Sequence, residues 1–234
     1  ERIGARPVGV IIADSSPKFL RLALEKLHDD ERVAFRLIRW IESEKRLARL
    51  DEILEPPFDR HGANVLCSTN AIHLYTDLDA TLRSWSRVLV PGGRCHAQSG
   101  NIQNPRAAAD EWIIDATVES IHCAAMELVL TDDRWARWRD VVSDSALMKR
   151  HDALRRKFFP PVRPLAAYVD AFARAGFCVV SQEARRIEAR VAALTAQALA
   201  PNSNLACLDA AAGSLVHEAC EKSLFAGPEQ IAAA

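Results

Sequence analysis

The stretch 58–93, FDRHGANVLCSTNAIHLYTDLDATLRSWSRVLVPGG, constrains the fold more than any other part of the chain. Val65–Ser68 reads as a buried strand, and a polar turn carrying Asn70 and His73 follows it. An amphipathic helix over Leu78–Val88 then ends at a proline–glycine corner, after which Arg94–Gln98 reads as the next strand. A similar passage lies upstream. Val8–Ala13 is a continuous apolar run of the kind that a parallel sheet covers on both faces, and Pro17 sits where a helix can begin. Phe19, Leu22, Leu24 and Leu27 continue at mostly helical spacing, and Val33–Trp40 can form another strand. Ser43–Leu54, with Leu47, Leu50 and Leu54 on one side, reads as a helix ended by Pro56-Pro57. Strands alternating with helices imply an α/β fold with a mostly parallel sheet and right-handed crossovers.

After Asn104-Pro105 the pattern changes. Residues 106–160 contain no convincing strand, whereas Trp112, Ile113, Ala116, Ile121, Ala125 and Leu128 line a helical face, and Trp135 and Trp138 begin another helical stretch. A helical insertion of that size after a sheet strand suits a lid or a binding element. The α/β pattern resumes at Pro164, with Phe177–Gln182 as its strand; Arg190–Ala198 fits a strand or an Ala-rich helix, and Ser214–Phe225 a last helix.

The balance of 30 basic against 31 acidic side chains gives no basic field, so nucleic acid is not a favoured partner. No apolar run is long enough to span a bilayer. The six cysteines are scattered without metal-ligand spacing, which reads as reduced core thiols in a cytoplasmic protein and as no metal site. P-loop, nucleophile-elbow, zincin and dinucleotide-loop motifs are absent from the sequence.

Several residues could carry chemistry. In open α/β sheets the ligand crevice lies beyond the carboxyl ends of the strands, where Asp14 could accept hydrogen bonds from both hydroxyls of a ribose. The same carboxylate could instead cap the following helix, although Ser16 is better placed for that. His73 could act as a general base on an acceptor, or merely pack the strand end. Asn101 and Asn104 could bind a substrate or form a turn. The run Arg155-Arg156-Lys157 fits a solvated helix face better than an anion site.

These blocks, in this order, resemble the class I S-adenosylmethionine-dependent methyltransferases of the small-molecule type. VGVIIADSSPKFLRLALEKL (8–27) is similar to the family's second strand, acidic residue and helix start, RVLVPGG (87–93) to its "RVLKPGG", and LAAYVDAFARAGFCVVSQE (165–183) to its late helix, A-G-F and strand. The resemblance implies a Rossmann-like, doubly wound, mostly parallel sheet in a single domain over 1–234, with 106–160 as a helical insertion or lid. It implies S-adenosyl-L-methionine as cofactor, bordered by Asp14, Ser15, Trp40, Ile41, Cys67, Ser68 and Asn70, with Asn101 and Trp112 toward the substrate. Trp40 stands where the family usually has an acid, and a packed core role for it stays open. The family's glycine-rich loop is expected upstream of residue 8; LACLDAAAGSL (205–215) resembles that loop only faintly and reads better as a helix cap. The expected function is methyl transfer to a small-molecule acceptor, the alternative being an inactive methyltransferase-like binding or partner subunit. A homodimer is left open; no membrane partner is expected.

Overall fold

The computed structural model describes residues 9–54, 62–108, 111, 113–158, 160–185, 214, 215 and 217–219. The chain divides into two compact units, one of Glu1–Cys67, Asp77–His96 and Ala171–Cys178, the other of Ser68–Thr76, Ala97–Asp170 and Val179–Ala234.

In the first unit, β1 (Val10–Asp14) pairs in parallel with β2 (Val33–Leu37), Val10 opposite Val33 and Asp14 opposite Leu37. The connection is α1 (Pro17–Leu27), which Pro17 opens in its first turn and which Ser16 caps by accepting from the Phe19 N–H at 3.4 Å. Its apolar stripe stays uncovered among the described residues. Phe19 is 60% exposed and Val10 on β1 is 45% exposed, so the burial on both faces expected of the first strand is not seen there.

The helix expected over Ser43–Leu54 is corrected. Trp40–Ile41 (β3) and Arg46–Leu47 (β4) form an antiparallel hairpin whose turn places Lys45 at φ 53°, and only Leu50–Ile53 (α2) is helical. Arg46 explains the departure, because its guanidinium reaches Glu44 at 2.6 Å and Glu52 at 2.7 Å. Those bonds hold the Glu52 carboxyl down at about 2 and clamp the hairpin to the start of α2.

β5 (Ala63–Thr69), α3 (Leu78–Val88) and β6 (Leu89–Gln98) form the strand–helix–strand passage read from the sequence. Asp77 caps α3 by accepting from the Ala80 N–H at 2.9 Å, and the helix buries Leu78, Leu82, Trp85 and Val88. The glycines of the corner have separate duties. Gly92 sits at φ +78°, and a Cβ on Gly93 would lie 2.9 Å from the Val90 carbonyl oxygen and 3.3 Å from that of Ala63. The corner therefore lies inside β6, which begins at Leu89 rather than at Arg94.

The expectation of one sheet shared by the first, third and fourth strand runs is also corrected. Hydrogen bonding among the described residues gathers three two-stranded sheets, β1-β2, β3-β4 and β5-β6. Apolar runs specify strands, but a ladder needs an edge within about 5 Å, and the runs say nothing of that spacing. The result is a mixed α/β fold with small sheets.

Asp51 ties α2 to α3. Its Oδ1 accepts from the Ser84 hydroxyl at 2.6 Å, its backbone N–H donates to Ser84 Oγ at 3.1 Å, and its Oδ2 accepts from Arg87 at 2.5 Å. Ser84 is fully buried. Ser84→Ala is therefore expected to cost about 1–3 kcal/mol in urea unfolding, since it strands a part-buried N–H and removes a charge-assisted bond. An unchanged midpoint would dismiss the link.

The last residues of α7 (Leu165–Arg174) belong to this unit, with the Phe172 ring 5.4 Å from Phe177 and 6.4 Å from Trp85 between centroids. The strand expected at Phe177–Gln182 is absent from the described residues. Phe177 instead donates its N–H to the Phe172 carbonyl at 3.0 Å, and Val180 is 91% exposed, so the segment ends the helix rather than entering a ladder.

In the second unit, α4 (Ile114–Thr131), a 3₁₀ turn (Asp133–Trp138), α5 (Arg139–Ser143) and α6 (Ser145–Phe158) follow one another. Ile121, Ala125, Val129, Trp138, Val142 and Leu215 are buried together in its core. Residues 214, 215 and 217–219 are helical; Arg190–Ala198, 205–213 and the rest of the tail lie outside the described residues. Cys67, Cys123 and Cys178 are free and exposed, which corrects the reading of core thiols, while burial pushes the half-buried Cys95 thiol up to about 11. Cys207 and Cys220 lie outside the described residues. No helix among those residues is long and apolar enough to cross a membrane.

Candidate functional site

In the first unit, Asp14 is the last residue of β1 and half-buried. Its Oδ1 accepts from the Ser16 N–H at 2.7 Å, and no described group occupies Oδ2. Ser16 supplies the helix cap, so the carboxylate is held in place by the turn and keeps one oxygen available. Ser15 beside it is exposed. Trp40 is 54% exposed, which removes the core reading, and its indole N–H donates to Glu42 at 2.6 Å. Glu42 also pairs with Lys45, and these two donors lower its pKa. Glu42, two residues beyond Trp40 in the hairpin turn, is an acid that the sequence reading passed over. Ile41 is half-buried and Cys67 exposed.

The other candidates belong to the second unit, where a polar cluster joins two strand ends. Asn70 adopts φ 51°, donates its N–H to the Gln98 carbonyl at 2.8 Å, and accepts from the Gly100 N–H at 3.2 Å. Asparagine tolerates this left-handed turn because its short amide bonds locally. His73 lies in the 3₁₀ turn Ile72–Leu74, is 9% exposed, and has Nδ1 2.8 Å from Ser99 Oγ. The Asn101 N–H donates to that same hydroxyl at 2.9 Å, and Asn101 Oδ1 accepts from the Asp115 N–H at 2.9 Å. A buried asparagine thus serves the opening turn of α4, whose own N-cap, Ile113, has no side chain able to do so.

Ser68, 8% exposed, has a buried hydroxyl without a partner among the described residues. Asn104 accepts from the Arg106 N–H at 3.0 Å in an ordinary turn. Trp112 lies outside the described residues. Arg156 pairs with Asp152 at 2.9 Å along α6, as a solvated face would. Among the described residues no group of histidine, cysteine and acidic side chains could hold a metal ion.

Burial lowers the His73 pKa from its usual 6.5, and the Asp115 charge opposes that only in part. A lowered folded-state value means that the unfolded chain takes up the proton first as pH falls. His73 thus adds to stability in full above about 6.5, and the contribution declines as pH drops from there through the lower folded value. Urea unfolding at about pH 7.5 and about pH 5.5 should show acid destabilisation that is smaller in His73→Gln. Equal slopes in the two proteins would contradict the burial argument.

No family model matches the chain. Over 94 residues it is 32% identical to the hybrid PKS-NRPS synthetase apdA of Emericella nidulans. The chain is similar to a small segment of a synthetase. The match takes in 40% of this chain but only 2% of that curated relative.

Proposed function

We propose that the chain is an enzyme domain that transfers a methyl group from S-adenosyl-L-methionine to a small-molecule acceptor. The observation that carries this reading is the turn after β1, where Asp14 stands at the carboxyl end of a parallel strand with no partner on Oδ2 among the described residues. A carboxylate so placed suits a ribose diol, and capping does not account for it because Ser16 does the capping. The exposed Trp40 ring, in the same unit as Asp14, fits the flank of an adenine. When bound, the cofactor supplies a methyl group already activated on a sulfonium.

The residues of this chain then have to bind and orient. Asp14, in the first unit, is assigned to the donor. Within the second unit, the segment 106–160 is assigned to the acceptor, since Asn101 anchors the start of α4 to the turn that follows β6. Alignment of nucleophile, methyl and sulfur supplies much of the acceleration in such a reaction, so the fold's main task is positioning. The partial similarity to a synthetase favours a small-molecule acceptor over nucleic acid, as does the absence of a basic field.

Calorimetric titration of S-adenosylhomocysteine, the demethylated product, into the protein at its native length tests the reading. A saturable isotherm with one site is expected. No heat at ligand concentrations on the order of 1 mM would remove the donor assignment.

A further inference from the structure

We infer that the side-chain amide nitrogen of Asn101 is a binding group for a neutral carbonyl oxygen, and so a specificity-determining contact of the second unit. The two ends of this amide can be told apart. Asp115 presents a backbone N–H, which can only donate, so the atom 2.9 Å from it has to be the carbonyl oxygen Oδ1. Nδ2 and its N–H groups therefore face away from the start of α4. They have no partner among the described residues.

Burial makes the unfilled donors informative. Asn101 is 5% exposed, and a buried side-chain donor nearly always meets a protein group or an ordered water. Its nitrogen is not sealed from solvent as the Ser68 hydroxyl is, so a small molecule can reach it. The side chain is not free to turn. Exchanging the ends of the amide would set Nδ2 against the Asp115 N–H, donor against donor, and the Asn101 backbone N–H is already given to Ser99 Oγ at 2.9 Å. The donors are thus held in one direction before any ligand arrives, which lowers the entropy lost on binding. They stand just past the end of β6, and open α/β folds take their ligands beyond the carboxyl ends of strands.

Charge selects the kind of oxygen. A helix start carries about half a positive charge, which by itself favours an anion. The Asp115 carboxylate, however, sits in the first turn of α4, near enough for its charge to act on His73. A full negative charge outweighs the half positive one, so a carboxylate ligand is repelled, whereas an uncharged amide, ester or ketone oxygen accepts from Nδ2 without that cost. No proton moves and no covalent bond changes at this contact. Calling the bound molecule a methyl acceptor rests on the methyl-transfer reading, and the two fail separately. A failed donor titration removes that label alone, and a failed carbonyl titration removes this subsite alone.

The test is an NMR titration of the ¹⁵N-labelled native protein with N-methylacetamide and, separately, with acetate. The Asn101 side-chain amide is followed, assigned by the cross-peaks that Asn101→Asp removes. N-methylacetamide should shift it saturably with a Kd on the order of 10 mM, and acetate should bind at least about tenfold more weakly. Asn101→Asp keeps an oxygen for the Asp115 N–H and loses the donors, so the variant should stay folded while N-methylacetamide binding, followed at the Gly100 backbone N–H, falls about tenfold. No saturable shift below about 200 mM would leave the amide to ordered water and overturn the inference, as would acetate binding as tightly as N-methylacetamide. Undiminished binding in Asn101→Asp overturns it too, and the two native titrations decide even if that variant fails to fold.

Discussion

Replacing Trp138 by alanine is expected to destabilise the helical unit by about 3–5 kcal/mol, the largest effect of any substitution considered. Trp138 is 5% exposed and buried with Ile121, Val129 and Val142. Its ring stacks on Trp135 at 5.9 Å between centroids, with the Arg137 guanidinium 3.9 Å from its own centroid. Alanine would forfeit the transfer free energy of the indole and leave a cavity, and the stacking adds about 0.5–1.5 kcal/mol beyond area burial. Domains of ordinary stability hold only about 5–15 kcal/mol in reserve, so much of the helical circular dichroism should be lost at moderate denaturant. A loss below about 1 kcal/mol would mean that the indole does not sit in a packed core. The same packing commits Trp138 to the interior of its unit.

The second large effect concerns binding. Asp14→Ala should weaken S-adenosylhomocysteine binding by at least about 1.5 kcal/mol, more than tenfold in Kd, because a hydrogen bond to a charged group is worth that much or more. The fold should survive. Ser16 supplies the cap of α1, and the Asp14 side chain contributes one bond to a backbone N–H in a half-buried turn. Asp14→Asn keeps an oxygen for Ser16 and loses the charge, so it should retain stability while binding weakly. Unchanged affinity in a folded Asp14→Ala protein would confine the carboxylate to shaping the turn.

How much of this was legible in the sequence depended on whether the signal was local. Leu78–Val88 was read with the bounds the structure shows, since the amphipathic spacing lies within that segment and the glycine corner follows it directly. The cap at Ser16 was read for the same reason. The β3–β4 hairpin was missed because Leu47, Leu50 and Leu54 mimic helical spacing, and its turn uses Lys45 at positive φ where glycine or asparagine would have announced it. The strand at 177–182 failed because ladders depend on a partner elsewhere in the chain. His73, Asn70 and Asn101 were picked out singly, but their connection was invisible. The bond from His73 to Ser99 spans 26 residues and exists because the ends of β5 and β6 lie side by side. Ser99 and Glu42 carried no motif and emerged only from hydrogen bonding.

The measurement that tests the account most directly is a crystal structure of the protein with S-adenosylhomocysteine bound. The account predicts both ribose hydroxyls within about 3 Å of the Asp14 carboxylate, Oδ2 taking at least one of them while Oδ1 keeps the Ser16 N–H. A ligand ordered elsewhere, with Asp14 touching nothing but its own turn, would contradict it.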